Sequence, residues 1–127
     1  MSKSILIVDD EIHIRVLMEQ TLEELEDEGV ELLTATNGAE ALEMICSEKP
    51  DLVFLDVMMP KMNGFEVCQA VKENVTTQDT YIIMLTAKGQ ECDRQQGSAA
   101  GANLYMTKPF DPDEILAKAL EILALTL

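Results

Sequence analysis

The sequence predicts an α/β fold, a doubly wound five-stranded parallel sheet with helices on both faces. Two observations carry that prediction. Short apolar runs rich in β-branched residues alternate five times with longer segments of helical periodicity, the pattern of parallel strands joined by crossover helices. Several of these runs also end on a charged or hydroxyl residue where burial would be expected to continue, at the strand ends where such sheets bind ligands.

The first strand is SILIV from Ser4. The helical pattern that follows covers residues 11–28, with Gly29 as its stop. Within it Ile14, Leu17, Met18, Thr21 and Leu25 form one stripe at helical spacing, whereas Ile12 and Val16 fall on another face. ELLTAT from Glu31 reads as the second strand, and a helix over 38–48 ends before Pro50. LVFL from Leu52 is the third strand, followed by a helix over 64–73. YIIMLT from Tyr81 is the fourth, followed by a helix over 89–100 that Gly101 closes. LYMT from Leu104 is the fifth, and the last helix runs from Pro112, a residue suited to a first helical turn, to the end. Right-handed crossovers distribute these helices over both faces of the sheet.

A chain of 127 residues with 47% hydrophobic content can build one sizeable core, so a single domain is expected. Its 24 acidic and 9 basic residues leave a formal charge of -15, which disfavours direct contact with nucleic acid or an anionic membrane. Cys46, Cys68 and Cys92 are widely spaced and form no C-x-x-C pair, indicating neither a disulfide framework nor a zinc site. No apolar run approaches the roughly 18 residues of a membrane span. MSKSILIVDDE lacks the pattern of a secretory leader, so a cytoplasmic location is expected.

The chemistry concentrates at the strand ends. ILIVDDE places Asp9 and Asp10 after the first strand, and VFLD places Asp56 after the third. Either run alone fits an acidic helix start or a turn residue. Together, if the first and third strands are neighbours, they bring three carboxylates into one crevice, where two charges 4 Å apart repel by roughly 4 kcal/mol at an effective dielectric of 20. A cation must offset that repulsion, and hard oxygen ligands suit Mg2+ completed by water and a substrate phosphate. Thr86, followed by small Ala87, closes the fourth strand, and Lys108 before Pro109 closes the fifth. A hydroxyl and an ammonium beside such a site are what transferring phosphoryl oxygens require. His13, with no second histidine, reads as an exposed surface residue, and the 8 methionines as gap-filling core.

The ordered set Asp9, Asp10, Asp56 in FLDVMMPKMNG, Thr86-Ala87 in LTA, and GANLYMTKPF from Gly101 resembles the receiver domain of two-component response regulators over essentially the whole chain. The resemblance implies one receiver domain over residues 1–127, a flavodoxin-like (βα)5 fold with strand order 2-1-3-4-5. It implies Asp56 as the phosphoacceptor, loaded from a phosphohistidine on a sensor histidine kinase or histidine phosphotransfer protein, in a chain that catalyses its own phosphorylation and dephosphorylation. It further implies Mg2+, with Mn2+ as a substitute, bound by Asp10 directly, by Asp9 through water, by Asp56 and by the Met58 carbonyl. Thr86 and Lys108 would hold the phosphoryl oxygens, and Tyr105 would be the aromatic switch. The face formed by the fourth helix, fifth strand and fifth helix would then control a downstream effector or a covalent output domain outside this chain. Lys88 bears on phosphoryl lifetime in such domains, and the Lys108-Pro109 bond is cis in them. Asn103 departs from the family's usual Asp. Two alternatives remain: an interaction module that no longer uses phosphorylation, disfavoured by the intact set, and a Mg2+-dependent aspartyl-phosphate phosphatase, which would want a second acid where Met58 stands.

Overall fold

The computed structural model describes residues 3–59, 61–87, 101–108 and 111–124. The helix expected over 89–100, Lys88, Cys92, Pro109 and the side chain of Ala87 lie outside the described residues. The described elements are β1 (Ser4–Val8), α1 (Ile12–Glu26), β2 (Glu31–Ala35), α2 (Gly38–Glu48), β3 (Leu52–Asp56), α3 (Gly64–Glu73), β4 (Tyr81–Ala87), β5 (Leu104–Lys108) and α4 (Pro112–Leu123). All four strand pairings are parallel and their order is β2-β1-β3-β4-β5, as expected. No described helix is long and apolar enough to cross a membrane.

Alternation along the strands builds a core on each face of the sheet. Ile5, Ile7, Leu52, Phe54, Ile83 and Leu85 pack with Met18, Leu22 and Leu25 of α1 and with Ile115, Ala119 and Leu123 of α4. Leu6, Val8, Val53, Leu55, Ile82 and Met84 point the other way, against Ala41 and Ile45 of α2 and Val67, Cys68 and Val71 of α3. The central strands are covered on both sides, which is why their sequences are continuously apolar.

The expected stripe on α1 needs two corrections, since Leu17 lies off it and Leu22, absent from it, is fully buried. Met18, Leu22 and Leu25 are buried, but Leu17 is 39% exposed. At 100° per residue the i, i+4, i+7 set centred on Leu22 faces the sheet, and Leu17 is turned off that line. Ile12 and Val16 do lie on another face, at 67% and 44% exposure. The strands also run further than their apolar letters. Asp56 pairs with Leu85 and Lys108 with Ala87, so the parallel ladder carries both charges to its last rung.

Helix termini carry local signals. Asn37 and Asn63 cap α2 and α3 by accepting from Glu40 N–H at 2.9 Å and Glu66 N–H at 3.0 Å, and Asp111 caps α4 ahead of Pro112. Asn103, the departure noted above, clasps Ile82: its N–H donates to the Ile82 carbonyl at 3.0 Å and its Oδ1 accepts from the Ile82 N–H at 2.9 Å. A glycine is required where α2 begins, because a Cβ on Gly38 would overlap the Met62 carbonyl. That contact seats α2 against the segment leading into α3. Gly38→Ala should therefore lower the unfolding free energy by about 2 kcal/mol through overpacking, while Val75→Ala, at a position 78% exposed, should leave it within about 0.5 kcal/mol; urea unfolding measures both.

Candidate functional site

The register decides which charges meet. Val8 stands opposite Leu55, so Asp9 and Asp56 leave adjacent strands side by side. Because β1 ends at Val8, the alternation of the pleat has stopped and Asp10 can face the same crevice. Asp9, Asp10 and Asp56 each place one carboxylate oxygen within 4.8 Å of the others. Asp9 and Asp56 are 1% and 6% exposed, whereas Asp10 is open to solvent.

Lys108 reaches in from β5 and donates to Asp9 Oδ2 at 2.9 Å while standing 3.1 Å from Asp56 Oδ1. The second oxygen of Asp9 accepts from the Glu11 N–H at 3.0 Å. Burial, and after it the Asp9 charge, push the Asp56 carboxyl up to about 6; Lys108 offsets part of this and Asp10 adds to it. Burial alone would pull the Lys108 ammonium down, but the hydrogen bond and charge of Asp9 and the charge and hydrogen bond of Asp56 outweigh it and hold Lys108 above its ordinary value. Among the described residues one ammonium meets three carboxylates, which leaves that cluster net negative, and the Asp10 carboxylate accepts no hydrogen bond from a described residue. Such an all-oxygen donor set, short of positive charge and open on one side, fits a hard divalent cation. Met58 is not among the clustered carboxylates and is 66% exposed, and its backbone carbonyl is its one oxygen donor.

The other expected residues lie along the same edge. Thr86 is buried at the end of β4, one residue beyond the Leu85 that pairs with Asp56, and stands opposite Thr107. No hydrogen bond among the described residues joins its hydroxyl to the carboxylates. Tyr105 pairs with Met84 and packs against the core on the α2 and α3 face. Its hydroxyl is buried without a hydrogen-bond partner among the described residues, and burial, then the Cys68 charge, push it up. His13 is exposed, 3.1 Å from Glu11.

Two contributors are absent from the expected set. Gly64, at the start of α3, lies so close to the end of β3 that a Cβ there would stand 2.5 Å from the Asp56 carbonyl and 2.9 Å from Val57 Cα. Arg15 donates from Nη1 to the Asp9 carbonyl at 2.8 Å. A signal for Arg15 existed, since it is the sole Lys or Arg in α1 and stands shortly after the acidic pair.

The raised Asp56 value fixes a sign. Between the ordinary 3.8 and about 6 the folded protein binds this proton more tightly than the unfolded chain, so stability without a divalent ion falls as pH rises through that window. In EDTA at pH 7.5, Asp56→Asn should be more stable than wild type by about 2 kcal/mol. Near pH 4 the gain should largely vanish, and urea unfolding across the pH range would expose a constant or opposite difference.

Comparisons with known proteins agree with this geometry. The family model described as response regulator receiver domain matches residues 5–120. The alkaline phosphatase synthesis transcriptional regulatory protein PhoP of Bacillus subtilis is 46% identical over 123 residues, covering 97% of this chain and 49% of that protein. The solved chemotaxis response regulator CheY4 of Vibrio cholerae superposes with a TM-score of 0.83 at 36% identity, covering 96% of this chain and 99% of that one. The BeF3-activated receiver domain of DrrB, a protein of Thermotoga maritima, gives a TM-score of 0.84 at 33% identity, covering 98% and 99%. The chain spans about half the length of the curated relatives it matches. With its parallel 2-1-3-4-5 sheet and its acidic crevice beside Lys108, the chain belongs to the response regulator receiver domain family.

Proposed function

We propose that residues 1–127 form one receiver domain in which Asp56 accepts a phosphoryl group from a phosphohistidine on a sensor histidine kinase or a histidine phosphotransfer protein. The observation that carries this reading is the convergence of the Asp9, Asp10 and Asp56 oxygens within 4.8 Å, with the Lys108 ammonium on two of the three residues. An Asp56 oxygen attacks phosphorus, the P–N bond breaks, and its electron pair leaves with the partner's imidazole. Asp56 must be ionised for this step, a state that predominates above its value of about 6. Lys108 neutralises the charge gathering on the phosphoryl oxygens, and the Thr86 hydroxyl donates to one of them. Water later cleaves the acyl phosphate, releasing inorganic phosphate and restoring the carboxylate. Asp10 would hold Mg2+ or Mn2+ directly, with Asp56, the Met58 carbonyl and Asp9 through water. The ion, when bound, supplies further neutralisation of phosphoryl charge.

The readout is a shift between two arrangements of Thr86 and Tyr105. A buried hydroxyl without a partner costs roughly 1–3 kcal/mol, so the inward position of Tyr105 competes with an outward one. The two states are then close enough for one new phosphoryl contact to reverse their order. β5 and α4, with the segment 89–100 outside the described residues, form the output face. Relatives that are named as transcriptional regulatory proteins and run to about twice this length support a downstream effector protein or a covalent output domain outside this segment. The segment's own charge of -15 disfavours direct contact with nucleic acid or membrane. The cytoplasm, where thiols such as Cys46 and Cys68 stay reduced, is its compartment.

Exposed Ile12 and Val16 on α1, beside the crevice end of the sheet, border the surface that the phosphodonor protein covers. Incubation with a small phosphodonor and Mg2+ should add one phosphoryl mass to wild type and none to Asp56→Asn; an adduct on both proteins, or on neither, contradicts the assignment. Ile12→Glu with Val16→Glu should slow transfer from the cognate partner about tenfold, the loss of roughly 1.4 kcal/mol of apolar contact, and leave small-donor phosphorylation unchanged. Equal rates from the protein donor would remove α1 from the docking surface.

A further inference from the structure

Arg15 reaches back from the first turn of α1 to the carbonyl of Asp9, at 2.8 Å from Nη1. That carbonyl belongs to the peptide unit that joins Asp9 to Asp10. A peptide unit is planar, so a donor fixed on its oxygen also fixes the position of the Asp10 Cα. Asp9 has other supports: its N–H donates to the Ala35 carbonyl at 3.3 Å, and its carboxylate is held by the Glu11 N–H at 3.0 Å and by Lys108 at 2.9 Å. Asp10 has none of these. It is exposed, and among the described residues no donor reaches its carboxylate. The helix that follows supplies little anchorage either, because Glu11 at the N-cap makes no side-chain cap and the first turn holds no acid.

We propose that Arg15 is a positioning residue for the divalent cation, aiming the Asp10 carboxylate at the ion by holding the Asp9-Asp10 peptide. This rests on the reading that Asp9, Asp10 and Asp56 bind Mg2+. The sign of the effect separates positioning from plain electrostatics. Arg15 is a positive charge beside a cation site, so removing its charge alone would tighten cation binding. Loss of positioning weakens it. Mg2+ demands near-ideal octahedral geometry whereas Ca2+ accepts flexible arrangements, so the loss falls more heavily on Mg2+.

The test is calorimetric titration of the 127-residue chain with Mg2+ and with Ca2+, no phosphodonor being present, for wild type, Arg15→Gln and Arg15→Lys, with thermal unfolding in EDTA alongside. Arg15→Gln is expected to weaken Mg2+ binding about tenfold and Ca2+ binding less, with the unfolding midpoint in EDTA close to that of wild type. Arg15→Lys should fall between the two, since an ammonium keeps the charge without the planar fork. If only Arg15→Lys folds, its Mg2+ affinity must lie several-fold below wild type, and equality overturns the proposal. Unchanged or tighter Mg2+ binding in Arg15→Gln, with normal binding by wild type, overturns it while leaving the three-carboxylate reading intact. Equal weakening for both ions with a lowered midpoint also overturns it, as general loosening. Failure of wild type to bind Mg2+ would remove the underlying reading and this proposal together.

Discussion

The bridge from Lys108 to Asp9 and Asp56 is the interaction on which the rest of the structure depends. Its two carboxylates are almost fully buried, and the ammonium stands 2.9 Å from one and 3.1 Å from the other. Removing one partner from a buried ion pair costs about 3–5 kcal/mol, so β5 cannot leave the sheet without exposing that debt on β1 and β3. The ion pair spans the end of β4, since β5 and β3 are not adjacent. Neighbouring strands lie roughly 4.8 Å apart, so β3 stands about 9.6 Å from β5, and the long lysine side chain crosses β4 to close that span where a shorter one would not. The bridge therefore closes the mouth of the sheet as well as balancing its charge.

Balance is deliberately incomplete. Asp10 adds a third carboxylate that Lys108 does not touch, and Asp56 is pushed up to about 6 mainly by its own burial. A carboxylate in that condition is an unfavourable element of a resting fold and a good recipient for a cation or a phosphoryl group. The two apolar layers on either face of the sheet compensate for it. Their rigidity matters as much as their energy, because close-packed strands hold the charges at fixed separations. Gly38 and Gly64 serve the same end, letting α2 and α3 approach the segment that follows Asp56 more closely than any side chain would allow.

Tyr105 shows a different compromise. Its ring packs against the α2 and α3 core while its hydroxyl is buried unpaired among the described residues. Packing and desolvation act in opposite directions on this one side chain. Tyr105 and Lys108 lie on the same short strand, three residues apart, so a change at the crevice has a direct covalent route to Tyr105.

Much of this was legible in the sequence. Strand alternation, the proline helix start and the acidic strand ends are local patterns, set by geometry within a few residues, and among the described residues each appears where the chain predicts it. The α1 stripe departs from the spacing at Leu17 and Leu22 because spacing gives a helix a face but not its rotation against the sheet. The role of Arg15 is hidden for a related reason: a lone basic residue in an acidic helix gives no sign of which carbonyl it will find. By itself the sequence determined the described strands and helices, their parallel character and the identity of the carboxylates and the lysine that meet at the strand ends. Only the tertiary structure decided the strand register that sets Asp9 beside Asp56, the reach of Lys108 across β4 and the hold of Arg15 on Asp9, because these contacts join residues distant along the chain whose proximity depends on the whole packed sheet.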